Sequence, residues 1–175
     1  MDVRDLEYLA KGKRGRVFVG NLKGKKICVK VSSRAKIEAK WLKVLNKHKI
    51  GPKLIKAKDD MMVYEFVSGK RIVECLNKKV IKKVFEQCRI LDKLKIDKKE
   101  MVNPYKHVLV NKNKVVMIDF ERCHKVKTPK NVTQFGEYLM RQKIVDREKF
   151  TPLLKEYKKN QSKINFEKVL SIIGI

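Results

Sequence analysis

Residues 115–123 read VVMIDFERC, an apolar run that meets Asp119, Phe120 and Glu121. A carboxylate delivered by a rigid strand suits a hard cation, which takes oxygen ligands. The plainer alternative is an aspartate that caps the following turn. Other positions offer matching chemistry. Lys30 ends the apolar run ICVK (27–30), Glu38 follows eight residues later in RAKIEAKWL, and Gly12 and Gly15 stand in LAKGKRGRVF (9–18). A strand-end lysine places a point charge suited to phosphate, and glycines let a backbone pass close to an anion. Each also has a bland reading: a solvated lysine in a lysine-rich chain, a glutamate in i,i+4 pairs, a common strand–turn–strand. Glu100, in KKEMVNPYK, is a carboxylate able to accept a hydroxyl proton or orient a water, or else a solvated loop residue.

These residues need elements that hold them. RVFVG (16–20) and KKICVKV (25–31) read as strands, with Asn21–Gly24 as the turn between them. A helix follows, with Ser33 as its N-cap and Ile37, Trp41, Val44 and Leu45 as its apolar face; Gly51-Pro52 stops it. PKLIKA and MMVYEFV form a hairpin across Lys58–Asp60. After Ser68-Gly69 the character changes. Residues 77–95 are helical, with Val80, Ile81, Val84, Phe85, Cys88 and Leu91 on one face. KHVLV and KVVMIDF form a second hairpin, turned at Asn111–Asn113, and the remainder is helical. There, Asn131 with Gln134 predicts a capping box, Thr151-Pro152 a helix start and Asn165 a cap. The expectation is an α+β protein in two parts: a β-rich part with one helix over 1–68, and a mainly helical part over 69–175.

Of 175 residues, 43% are apolar, enough for a packed core. No run has the length of a membrane span, and MDVRDLEYLA lacks the basic-then-apolar order of a signal peptide. The expectation is a soluble, cytoplasmic protein. Lysine and arginine number 45 against 19 acidic residues, a net charge of +26. High-temperature composition predicts balanced charge, so the excess points to a polyanionic partner, most simply RNA. The alternative is a solvated surface. Cys28, Cys75, Cys88 and Cys123 lack metal spacing and read as reduced thiols.

The order of these motifs resembles a protein kinase. LAKGKRGRVF resembles the glycine-rich loop, with Ala10 in place of its first glycine, and ICVK resembles the V-A-I-K strand. The IDFE-type strand end, the EAxxL helix and the N-V-T helix start are similar to those of small archaeal predicted serine/threonine kinases. Those are related to RIO kinases and to the kinase subunit of the KEOPS complex. The resemblance runs from about residue 8 to about 145. It implies a bilobal kinase-like fold with a reduced C-lobe and Mg²⁺-ATP held between the lobes. Lys30 would neutralise the α- and β-phosphates, Glu38 would hold Lys30, and Asp119 would coordinate Mg²⁺. Gly12, Gly15 and Val17 would cover the nucleotide, with Cys28 and Leu109 on either side of the adenine. Tyr64 would be the gatekeeper, while the Glu65 carbonyl and the Val67 N–H would meet the adenine edge.

The catalytic loop departs from the pattern. His107 occupies the position of the second metal-binding residue, although Mg²⁺ prefers oxygen, and Lys106 beside it adds charge suited to phosphate. Val102 stands where strict spacing requires the catalytic aspartate. Glu100, seven residues before His107, serves only with a two-residue insertion. No A-P-E motif follows Asp119. Glu121 in place of glycine restricts the backbone after the strand. Three functions follow: an atypical kinase or ATPase acting on a protein or RNA–protein substrate, a pseudokinase scaffold, and a basic RNA-binding protein of ribosome or tRNA maturation.

Overall fold

The alternating apolar residues of the first third build a sheet in the computed structural model, which describes residues 3–112 and 114–174. Its strands are β1 (Arg4–Lys11), β2 (Gly15–Leu22), β3 (Lys25–Ser32), β4 (Leu54–Lys58) and β5 (Met61–Glu65), with helix α1 (Ala35–Leu45) after β3. All neighbours are antiparallel in the order β1-β2-β3-β5-β4. Lys23 and Gly24, both at positive φ, close the β2–β3 hairpin. The register pairs Val17 with Lys30, Val19 with Cys28, and Cys28 with Tyr64. Those side chains therefore share one face of the sheet. Ile27, Val29 and Val63 point the other way into a core completed by Phe18, Leu22 and Met61.

Helix α1 differs from expectation in its cap and in its buried face. Ser33 does not cap it; Arg34 is the N-cap residue, and the Ser32 hydroxyl accepts from the Arg34 N–H at 3.1 Å. The buried face is Ala35, Glu38, Ala39, Leu42 and Leu45, and Ile37 is 40% exposed. The helix turns a glutamate inward because that carboxylate is fully bonded there. After α1, Asn46 ties the chain into β4 by bonds to Ile50, Pro52 and Leu54. Gly51 lies at φ +80°, and a Cβ there would meet Leu42 at 2.7 Å and the buried Phe120 ring at 2.9 Å.

The chain divides into two compact units. The first is the chain up to Ser68 joined by Val116–Glu121; the second is Gly69–Val115 with the chain from Arg122 onward. The second unit contains β6 (Lys70–Arg71), α2 (Lys78–Lys93), β7 (Ile96–Asp97), β8 (Val108–Asn111), the start of β9 (Lys114–Met117) and β10 (His124–Lys125). Helices α3 (Asn131–Arg141), α4 (Arg147–Lys159) and α5 (Lys163–Ser171) follow. Asn77 caps α2 by accepting from the Val80 N–H. Strands β6, β8 and β9 form a small sheet, and β7 pairs with β10. The expected turn residue Asn113 lies outside the described residues. Phe85, Phe135 and Phe150 meet edge to face at the centre of the helices.

The caps of the last helices also differ. Asn131 is not a cap: it lies within α3, buried, and bonds across to α2. Asp146 caps α4, accepting from the Lys149 N–H at 2.9 Å, so Thr151 and Pro152 lie inside the helix. Ser162 caps α5, accepting from the Asn165 N–H. At α4 and α5 a short polar side chain caps about one turn earlier than predicted, whereas α3 is preceded by Lys130, whose side chain makes no cap bond. All four cysteines are thiols. No described helix is long and apolar enough to cross a membrane.

Candidate functional site

In the first unit four charged side chains converge. Lys30, on the Val17–Cys28–Tyr64 face of β3, donates to Glu38 Oε2 at 2.6 Å and to Asp119 Oδ1 at 3.3 Å. Glu121 Oε2 lies 3.9 Å from the same ammonium. The second oxygen of Glu38 accepts from the Phe120 N–H at 3.1 Å. Glu38 thus joins helix, sheet and strand end through two oxygens, which is why α1 buries it. Burial works to lower the Lys30 pKa, but Glu38 and then Asp119 outweigh it and raise the value. The lysine stays a cation.

Strand β9 ends at Met117, so Asp119 stands just beyond the strand rather than in it. Its φ is +63°, a left-handed conformation uncommon outside glycine. The buried Phe120 and its bond to Glu38 hold that turn. The carboxylate oxygens of Glu38, Asp119 and Glu121 come within 4.8 Å of one another. Oxygen donors of this kind suit Mg²⁺.

Beside them, burial pushes the Cys28 thiol up to about 11, against a Tyr64 hydrogen bond and the Lys26 charge. Burial likewise raises Tyr64, so both stay neutral at ordinary pH. Val67 lies in an irregular segment after β5, and the Glu65 N–H donates to the Lys53 carbonyl.

The two glycines differ. A Cβ on Gly15 would stand 2.3 Å from the Val31 carbonyl oxygen, so packing against β3 requires glycine. A Cβ on Gly12 would meet nothing nearer than the Gly15 oxygen at 3.8 Å. Gly12 faces open space, as a backbone that admits a ligand would. The sequence reading missed Arg14 between them, whose guanidinium donates to Glu121 Oε1 at 2.8 Å. Its partner is 107 residues away, and nothing distinguishes it among 45 cations in the sequence.

The second unit holds the other predicted residues. Glu100 opens a 3-10 turn and is not a solvated loop residue: its side chain is 7% exposed. One oxygen lies 3.6 Å from the ammonium of the fully buried Lys98, the other 3.6 Å from Arg122 Nε. Asn131 sets this loop, accepting from the Lys98 N–H at 2.9 Å and donating to the Ile96 carbonyl at 2.6 Å. Asp92 in turn accepts from Asn131 N and Nδ2, Val132 N and the Tyr157 hydroxyl. Burial raises Asp92, against those bonds. Its carboxylate faces the α3 N-terminus, where negative charge is favoured. Lys98, Arg122 and Asp92 carry no signal in the sequence, and Asn131 signals only a cap, because their partners are distant in the chain. His107 closes a second 3-10 turn, its N–H donating to the Pro104 carbonyl, and Lys106 is exposed. Leu109 is half-buried in β8.

No family profile and no curated protein matches the chain. Its structure is similar to the crystal structure of the Rio2 kinase–ADP/Mg²⁺–phosphoaspartate complex from Chaetomium thermophilum. The TM-score is 0.68 at 13% identity, over 99% of this chain and 70% of that one. The chain has a protein-kinase-like fold. At this identity the likeness establishes the fold, not the activity. Within the first unit Lys30 lies on β3, Glu38 on α1 and Asp119 just beyond β9.

Proposed function

We propose that this kinase-like chain binds ATP with Mg²⁺ and acts as an atypical kinase or ATPase of the RIO-related type. The observation that carries this reading is the linked set Lys30–Glu38–Asp119: a retained cation and an oxygen ligand, joined through one buried glutamate. Lys30 would meet the phosphates, Asp119 would hold the cation, and Gly12 leaves room for a phosphate against the backbone. The cation supplies charge neutralisation; the chain's own residues bind and orient. That Rio2 structure's ADP and Mg²⁺ are consistent with the same ligands here. The acceptor is proposed to be a protein or RNA–protein assembly.

The test is thermal stabilisation by Mg²⁺-ATP of the wild type, Lys30→Met and Asp119→Asn. Loss of one charge-assisted contact costs roughly 1.5–3 kcal/mol, or about 10–100-fold in affinity. The wild type is expected to be stabilised and both variants much less. A wild type that ATP does not stabilise, or an Asp119→Asn stabilised equally, refutes the reading.

A second reading, a nucleotide-binding scaffold without phosphotransfer, is favoured by Val102 at the base position and by the enclosure of Glu100 between two cations. Slow ATP turnover that disappears in Glu100→Gln supports catalysis. Nucleotide binding with no turnover in either protein supports the scaffold.

A further inference from the structure

Glu121 holds two cations at once. Oε1 accepts from the Arg14 guanidinium at 2.8 Å, and Oε2 faces the Lys30 ammonium at 3.9 Å. Arginine holds carboxylates and phosphates in the same forked geometry. The Glu121 carboxylate therefore stands where an oxyanion shared by Arg14 and Lys30 would stand. Arg14 lies in the turn between β1 and β2, which the Gly12 N–H closes by donating to the Gly15 carbonyl at 2.8 Å. The side chain of Arg14 is 39% exposed and that of Glu121 12%. The guanidinium approaches from the open side, while the carboxylate is set inside.

Charge adds a second argument. Glu38, Asp119 and Glu121 surround Lys30, and Arg14 is the second cation of the group. Among the contacts of the described residues, three carboxylates face two cations. An entering phosphate is repelled unless a cation comes with it or one carboxylate gives way. Glu38 is bonded through both oxygens, so it is fixed. Glu121 is the side chain whose cations a phosphate would share.

We propose that Arg14 is a phosphate-binding residue and that Glu121 is an internal competitor occupying its anion position. This rests on the nucleotide reading above. It deepens that reading by assigning the ligand's terminal phosphates to Arg14 and by making Glu121 a restraint on their entry.

The experiment is calorimetric titration of the full chain with ATP and AMP, each with and without Mg²⁺, for wild type, E121Q, R14A and the double variant. E121Q keeps the shape and removes the charge; it is expected to tighten ATP about 5–10-fold, most clearly without Mg²⁺. R14A is expected to weaken ATP by about 10-fold, to leave AMP unchanged, and to suppress most of the E121Q gain. E121Q binding Mg²⁺-ATP more weakly would mark Glu121 as a cation ligand and overturn the proposal. Equal ATP affinities in all four proteins, or equal weakening of AMP by R14A, would also overturn it while leaving the nucleotide reading intact. No ATP binding by any of the proteins would refute the nucleotide reading itself.

Discussion

Glu38 is the residue on which the first unit's charges depend. Each of its oxygens has a different donor, Lys30 on one side and the Phe120 N–H on the other. Lys30 and Glu38 are both largely buried, so breaking the pair strands a charge in low dielectric, at a cost of about 3–5 kcal/mol. The Lys30 pKa is raised above its ordinary value of 10.5. For a cation the sign is fixed: this stabilisation is fully present below the unfolded-chain pKa and is lost as pH rises through the folded one. Lys30→Met is therefore expected to unfold at lower urea than the wild type from pH 7 to pH 10. The gap should narrow above about pH 10.5; a gap independent of pH up to the alkaline limit would remove the ionic account. Lys30, Glu38 and Asp119 were legible in the sequence because each follows a recognisable run. The inward turn of Glu38 was not, because the apolar residues Ile37, Trp41 and Val44 mark a different face. The left-handed Asp119 was also hidden, since it depends on Phe120 finding its place beside Gly51.

At the scale of elements, glycine spacing announced the β1–β2 turn, yet its two glycines are there for unlike reasons. Gly15 makes way for the Val31 backbone, while Gly12 makes way for nothing in the protein itself. Gly15→Ala is expected to cost about 1–3 kcal/mol by overpacking. Gly12→Ala should stay within about 0.5 kcal/mol of wild type, yet bind ATP less tightly because the new methyl group occupies the ligand's approach. Urea midpoints and ATP affinities for both variants check this. If Gly12→Ala binds ATP as the wild type does, the glycine turn has no part in the phosphate site. Strands β2 to β5, β8 and β9 were legible from their apolar runs, whereas β1 and the two-residue strands β6, β7 and β10 were not; helix α2 was legible from apolar spacing and the later helices as a helical remainder. Their caps were not, because Asp146 and Ser162 compete with equally suitable Thr151 and Asn165, and only tertiary burial decides between them. Asn131 shows the same limit. Its side chain is suited to a cap, but the buried Asp92 claims it, and through it the loop carrying Glu100 is set.

At the scale of the whole molecule, composition announces a charge of +26, and the structure shows where some of it gathers. The β7–β10 ribbon of the second unit is edged by exposed Lys93, Lys95, Lys99, Lys125 and Lys127, while Asp97 within it is buried. The Val126 N–H donates to the Lys95 carbonyl, so the two lysine-bearing stretches lie side by side. Lysine is depleted from protein–protein interfaces, whereas point charges along a ribbon suit a phosphate backbone. The expected outcome is RNA binding without sequence preference and with a steep salt dependence. Four phosphate contacts correspond to a loss of about 100-fold in affinity between 50 and 200 mM salt. Lys95→Glu and Lys127→Glu should each lower the slope of log K against log salt by about one, without altering ATP affinity. Filter binding across a salt series distinguishes the cases. Binding that survives high salt unchanged, or a slope indifferent to both substitutions, would place the RNA elsewhere. Absence of binding at low salt would leave the excess charge as a solvated surface.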